Sequence, residues 1–284
     1  MRLQDVEELA GQRVCIVQSC TRSSDLEDEV FSTSDRFVET LQVLDILHNP
    51  VMVANELDVT TLNPPSEIIV VYTFLPFSKQ DYFYATGECN AAKLAIDLTL
   101  RYASKVIAID PHPPTVLDWV KKYMQEGRFV RLSVMPSLIN RAMTLFTLDD
   151  PLILTPPGKS RYDQIAIPSD LRKRRLDSYT VVVEGEAPVK GRDVILIDDL
   201  VLSGTTLRRT VHRLENLGAR RVVTCVPHAT PLVDDGEDRL QSLVEQLDGR
   251  LVVSNTISSK TFEVDHADLV VDCNPIITDY LARV

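Results

Sequence analysis

Short apolar runs rich in β-branched residues recur along the chain: Arg13-Val-Cys-Ile-Val-Gln-Ser19, Ile68-Ile-Val-Val-Tyr72, Val106-Ile-Ala-Ile109 and Val194-Ile-Leu-Ile197. Such runs suit strands covered on both faces of a parallel sheet. Leu152-Ile-Leu-Thr155, Tyr179-Thr-Val-Val-Val183 and Val222-Val-Thr-Cys-Val226 extend the set. Between them the apolar period becomes helical. Phe37, Leu41, Leu44 and Leu47 follow a cap expected at Ser34; Ala91, Leu94, Ala95 and Leu98 share one face over 90–102; Leu207, Val211, Leu214 and Leu217 run up to Gly218. Further helices are expected over 237–247 and from Asn274-Pro275, a capping residue before a first-turn proline. The acidic stretch from Arg22 to Glu29 reads as a loop.

Strands alternating with helices predict an α/β protein with mainly parallel sheets and flanking helices. Val106-Ile-Ala-Ile-Asp110 and Val194-Ile-Leu-Ile-Asp198 follow one plan, a buried strand that delivers an acid at its carboxyl end. Two α/β halves are therefore expected. The segment from Leu148 to Pro157, rich in proline and aspartate, divides them into 1–148 and 149–284, with the last helix expected to pack back on the first half.

Composition narrows the function classes. Hydrophobic residues make up 44% and charged residues 25%, the balance of a soluble globular protein. A formal net charge of −11 argues against a broad nucleic-acid-binding face, and an anionic substrate would have to be held by local basic residues. No apolar run approaches a membrane span and no signal-peptide core opens the chain, so a cytoplasmic protein with no membrane partner is expected. Cys15, Cys20, Cys89, Cys225 and Cys273 form no CxxC pair and fit reduced thiols.

The densest candidate chemistry is Val194-Ile-Leu-Ile-Asp-Asp-Leu-Val-Leu-Ser-Gly-Thr-Thr-Leu207. A strand ends in two carboxylates, and three hydroxyls with a glycine then open a helix. Helix-start amides with hydroxyls make a phosphate cradle. Carboxylates beside a phosphate need a divalent cation or sugar hydroxyls between them, so a phosphorylated ribose fits. No Gly-Lys-Ser/Thr closes the loop, which separates it from the P-loop of NTPases.

Ile197 to Leu207 resembles the ribose-phosphate loop of the type I phosphoribosyltransferase fold. From about Gly11 onward the chain resembles the ribose-phosphate pyrophosphokinase family, enzymes that make phosphoribosyl pyrophosphate (PRPP). The resemblance implies two phosphoribosyltransferase-like (Rossmann-like) domains. Phe74-Leu-Pro-Phe-Ser-Lys-Gln-Asp81, with Gly87-Glu88 and Lys93-Leu94, is similar to a family segment that usually ends Arg-Gln-Asp, which implies that Lys79, Gln80 and Asp81 serve ATP. Asp110-Pro-His-Pro-Pro114 matches Asp-Leu-His and implies that His112 meets the metal–ATP complex.

Leu171-Arg-Lys-Arg-Arg-Leu176 resembles the family's catalytic Lys-Arg-Arg loop, mapping onto Lys173, Arg174 and Arg175, with Lys173 and Arg175 the expected catalytic pair. On the same resemblance Asp198 and Asp199 take the ribose hydroxyls, and Ser203, Gly204, Thr205 and Thr206 take the 5-phosphate of ribose 5-phosphate. Mg2+ is the implied cofactor. An oligomer, of identical chains or with a paralogue, is the implied assembly, because the family builds ATP sites across subunits.

Four departures leave other readings open. The chain begins after the front part in which the family usually carries Phe-x-Asp-Gly-Glu. Pro156-Pro157 replaces a Pro-Asp turn, Leu202 stands where many members have Asp or Ser, and the segment from Pro157 to the basic run is short. A regulatory or assembly subunit without turnover, or a transferase that consumes PRPP, are the alternatives to the kinase.

Overall fold

The structure is a computed structural model that describes residues 3–21, 32–55, 58–81, 83, 85–112, 118–157, 162, 166, 169–175, 181–202, 204–230, 233–234, 237–258 and 261–284. All of Arg22 to Glu29 and the start of Tyr179 to Val183 lie outside the described residues. The chain forms two compact units that divide between Leu132 and Ser133.

The first unit is built on four parallel strands, β1 (Arg13–Ser19), β4 (Glu67–Phe74), β5 (Lys105–Ile109) and β6 (Phe129–Leu132), side by side in that order. A ribbon of β2 (Val51–Asn55) and β3 (Asp58–Thr61) and the helices α1 (Thr33–His48), α2 (Ala91–Thr99) and α3 (Asp118–Gln125) complete it. Burial of β4 and β5 is nearly continuous, as their unbroken apolar runs require. Ser32, not Ser34, caps α1: its hydroxyl accepts from the Asp35 amide at 3.2 Å while the Asp35 carboxylate accepts from the Ser32 amide at 2.7 Å. A capping box needs a carboxylate or amide three residues on, which Ser32 has and Ser34, three before Phe37, lacks.

The second unit holds a five-stranded parallel sheet of β7 (Leu152–Leu154), β10 (Asp193–Ile197), β12 (Arg221–Val226), β16 (Leu251–Ser254) and β17 (Val270–Val271), again adjacent in chain order. Around it lie α4 (Met135–Leu145), α5 (Thr205–Asn216), α6 (Arg239–Gln246) and α7 (Asn274–Leu281). Short ribbons pair β8 (Arg172–Arg175) with β9 (Val181–Glu184), β11 (Leu200–Val201) with β13 (His228–Ala229) and β14 (Val233–Asp234) with β15 (Glu237–Asp238). Asn274 and Pro275 are the first residues of α7, and Cys273 is the cap position.

Val222 and Val226 of β12 pack in one cluster with Leu207, Val211 and Leu214 of α5. On the other side the Cys225 thiol donates to the Leu138 carbonyl of α4 at 3.7 Å. Helices therefore cover both faces, because successive strand residues point to opposite sides. Helix α4, whose pattern the sequence reading passed over, belongs to the second unit, so the contact boundary falls before the Pro/Asp segment at 148–157.

Asp193 opens β10 fully buried and is gripped by two guanidinium groups. Arg220 meets it at 2.8 and 2.6 Å, and Arg221 at 3.1 and 2.7 Å. Arg221 also donates to the carbonyls of Phe146 and Thr147, tying the start of the sheet to the end of α4.

Candidate functional site

In the five-stranded sheet of the second unit all strands are parallel, so their carboxyl ends share one edge, where open α/β sheets bind ligands. Asp198 and Asp199 stand there, half-buried, directly after the fully buried β10. The Asp198 amide donates to the Cys225 carbonyl at 3.1 Å, and the Asp198 carboxylate accepts from the Asp199 amide at 2.9 Å. The chain then pairs briefly as β11 and turns into α5, whose first residues are Thr205 and Thr206. Gly204 is the cap, with φ of 65°, and a Cβ there would come within 2.5 Å of Leu243. Left-handed backbone and close packing both demand glycine here. Ser203 lies outside the described residues.

The basic run takes a different form from the loop expected. Arg172 to Arg175 is a strand, with Lys173 opposite Val183, Arg174 opposite Val182 and Arg175 opposite Val181. The following valines supply a β-prone partner, so the charged run gains a ladder of backbone hydrogen bonds. The ribbon is anchored to α5, whose Arg213 donates twice to the Gly185 carbonyl, at 3.0 and 2.6 Å. Gly185 has φ of 105° and its Cβ position lies 2.1 Å from the Asp170 carbonyl oxygen, so no side chain fits.

In the first unit the fold brings two motifs together. Lys79 and Gln80 are exposed in the turn after β4, whereas Asp81 is 2% exposed. The Asp81 carboxylate lies 3.3 Å from Nδ1 of half-buried His112, whose amide donates to the Ser78 hydroxyl at 3.2 Å. Asp81 is thus turned to the imidazole rather than to solvent, an arrangement that sets ring orientation. Two non-glycine residues beside the pair have left-handed backbone, Phe77 at φ 55° and buried Asp110 at φ 36°. Such strain persists only where surrounding structure enforces it, and it concentrates at functional sites.

Sequence reading missed a buried polar group beside the aspartates. His228, Thr230, Ser254 and Thr256 are each at most 5% exposed and lie at or just past the ends of β12 and β16. Their position at the carboxyl ends of the next two strands of the sheet beyond β10 was the available signal. All five cysteines are free thiols. Burial pushes Cys20 up to about 12 and Cys273 up to about 11, and raises Cys225 further, so none of these three is a nucleophile. Among the described residues no group of three or more His, Cys, Asp or Glu gathers as a metal cage, and no helix is long and apolar enough to cross a membrane.

Known proteins share these features. Residues 165–268, which include the basic strand, both aspartates and the helix start, match the phosphoribosyl transferase domain. Over 247 residues the chain is 24% identical to ribose-phosphate pyrophosphokinase of Aquifex aeolicus, covering 84% of this chain and 76% of that protein. It is 25% identical over 283 residues to the Sulfurisphaera tokodaii protein of the same name, covering 95% and 84%. The crystal structure of phosphoribosylpyrophosphate synthetase from Mycobacterium smegmatis superposes with a TM-score of 0.70 at 18% identity, covering 99% of this chain and 84% of that one, and so shares the fold. With its two parallel sheets, its matched phosphoribosyl transferase segment and relatives along nearly its whole length, the chain is similar to the ribose-phosphate pyrophosphokinase (PRPP synthetase) family.

Proposed function

We propose that the protein is a ribose-phosphate diphosphokinase, transferring the diphosphoryl group of ATP to the anomeric hydroxyl of ribose 5-phosphate. A bond forms between the anomeric oxygen and the β-phosphorus, the bond between that phosphorus and the α,β-bridging oxygen breaks, and AMP leaves as the hydroxyl proton is lost. The observation that carries this reading is the strand, acid pair and helix start from Asp193 to Thr206, set at the ligand-binding edge of the sheet. Asp198 and Asp199 would hold the ribose hydroxyls, and Ser203, Gly204, Thr205 and Thr206 the 5-phosphate at a helix N-terminus. Lys79, Gln80 and His112 would serve the nucleotide, with Asp81 orienting His112. Lys173 and Arg175 would stabilise charge on the moving phosphates, and catalysis would come from placement and charge.

Mg2+ fits the donor set, since it ordinarily takes one or two carboxylates and fills its shell with water and substrate phosphates rather than a protein cage. Asp198 and Asp199 are the oxygen donors suited to it; when bound it would neutralise phosphate charge. The imidazole of His112 is better matched to phosphate oxygens. Incubating the chain with ATP, Mg2+ and ribose 5-phosphate should give AMP and PRPP in equal amounts by phosphorus NMR. No product at high protein concentration overturns the reading.

A second reading, a binding or assembly subunit without turnover, is favoured by Pro156 and Pro157, both buried where family members place a metal-linked carboxylate. It requires that ribose 5-phosphate binds in calorimetry while AMP never forms.

A further inference from the structure

Past β10 the chain leaves the five-stranded sheet, and the described backbone pairing of the segment that leads to the phosphate loop is to β13. The His228 amide donates to the Asp199 carbonyl at 3.3 Å, and the Thr230 amide donates to the Val201 carbonyl at 3.1 Å. Leu200 faces His228 in this register and Val201 faces Ala229. A ladder of two residues is too short to be stable alone, so whatever fixes β13 also fixes the exit of Asp199 from the sheet.

What fixes β13 is a network of side chains almost sealed from water: His228 is 2% exposed, Ser254 3% and Thr256 1%. The hydroxyls of Ser254 and Thr256 each donate to the Pro227 carbonyl at 2.8 Å, and the Ser254 hydroxyl also lies 3.1 Å from the Thr256 oxygen. Nδ1 of His228 lies 2.9 Å from that same Thr256 oxygen. The Thr256 hydroxyl has one proton, and with that proton directed to Pro227 it can only accept from the ring, so Nδ1 carries the hydrogen. An apolar cluster of equal volume would bury as well at no desolvation cost. A satisfied polar network at this place specifies one geometry instead.

We propose that His228 is a positioning residue for the ribose-phosphate loop: locked by Thr256, it holds β13 in register with β11 and so sets the direction in which Asp199 and the following turn face the ligand. The inference rests on the ribose-phosphate reading above. It extends the half-site from one strand end to three, those of β10, β12 and β16.

The test compares Thr256→Val, an isosteric change that removes the acceptor, with Thr256→Ser, which keeps it. His228→Leu is compared in the same way with His228→Asn, whose amide places a donor near the Nδ1 position. Ribose 5-phosphate and ATP affinities are measured by calorimetry on the full chain, with melting temperature and hydrogen exchange at the His228 and Thr230 amides. An unpaired buried group of this kind corresponds to a roughly tenfold or greater loss when it bears on binding. Thr256→Val and His228→Leu should therefore weaken ribose 5-phosphate by about tenfold or more, leave ATP within about twofold, and speed exchange at both amides. The serine and asparagine variants should restore all three.

Equal ribose 5-phosphate affinity in wild type and Thr256→Val overturns this inference alone. So does a parallel fall of both ligands with melting temperature, which marks a merely structural role. A wild type that binds no ribose 5-phosphate overturns the ribose reading and this inference together.

Discussion

The two units end a buried strand in the same way, Val-Ile-x-Ile-Asp, and use the acid differently. In the first unit Asp110 is 1% exposed with strained backbone, and the half-buried polar side chain is that of His112, two positions on, backed by buried Asp81. In the second unit Asp198 stays half-buried beside Asp199, and a helix begins within a few residues. The shared pattern specifies a strand that carries an acid to the edge of a sheet. Whether that acid meets a ligand or serves as a structural post depends on what covers it.

The strand starts differ as well. Glu67 opens β4 with one guanidinium, Arg13 at 2.8 Å, and both side chains are a third or more exposed. Asp193 opens β10 fully buried between Arg220 and Arg221, which hold its carboxyl well below the usual carboxylate range. Solvent screens the first pair and barely reaches the second carboxylate, so similar ion pairs carry unequal weight.

The comparison breaks most visibly at the acids. Asp198→Asn combined with Asp199→Asn should lower PRPP formation by about a hundredfold or more, the scale of a lost electrostatic contact at a reacting centre, with little change in melting temperature. Asp110→Asn should show itself first in unfolding; loss of PRPP formation with unchanged unfolding would erase the distinction. Next in size, Asp193→Asn should cost about 2–3 kcal/mol in urea unfolding at neutral pH, below the usual range for breaking a buried pair because both arginines are partly exposed.

The sign with pH follows from the lowered carboxyl. Asp193 contributes in full above the unfolded carboxylate value near 4, and that contribution is lost as pH falls through the lower folded value. A wild-type minus Asp193→Asn difference that persists undiminished at pH 2 would contradict this. Smaller again, Gly204→Ala should cost roughly 1–2 kcal/mol through its left-handed backbone and the Leu243 contact, and weaken inorganic phosphate binding. Glu67→Gln is the smallest change, within about 0.5 kcal/mol at neutral pH, as expected of an exposed pair. A larger loss there would mean that the two strand starts are equivalent after all.

Strands β1, β4, β5, β7, β10 and β12 and helices α1, α2 and α5 were readable from apolar period, because burial on a sheet or one helix face imposes that period residue by residue. Helix α4 was not, since Met135-Pro-Ser-Leu-Ile-Asn-Arg-Ala has neither a strong cap signal nor a clean polar face. Nor was strand β8, where four consecutive cations outweighed any strand propensity until β9 offered a partner. The acid pair and helix start could be named from local order, because strand, turn and helix follow one another in the chain.

Pairings across long separations could not be named in that way. His112 against Asp81, and His228 with Thr256 behind Asp199, exist only because neighbouring parallel strands end at one level. Local order along the backbone sets which residues reach the edge of a sheet. Burial and the register between strands then decide which side chains meet there, and those depend on all the strands at once.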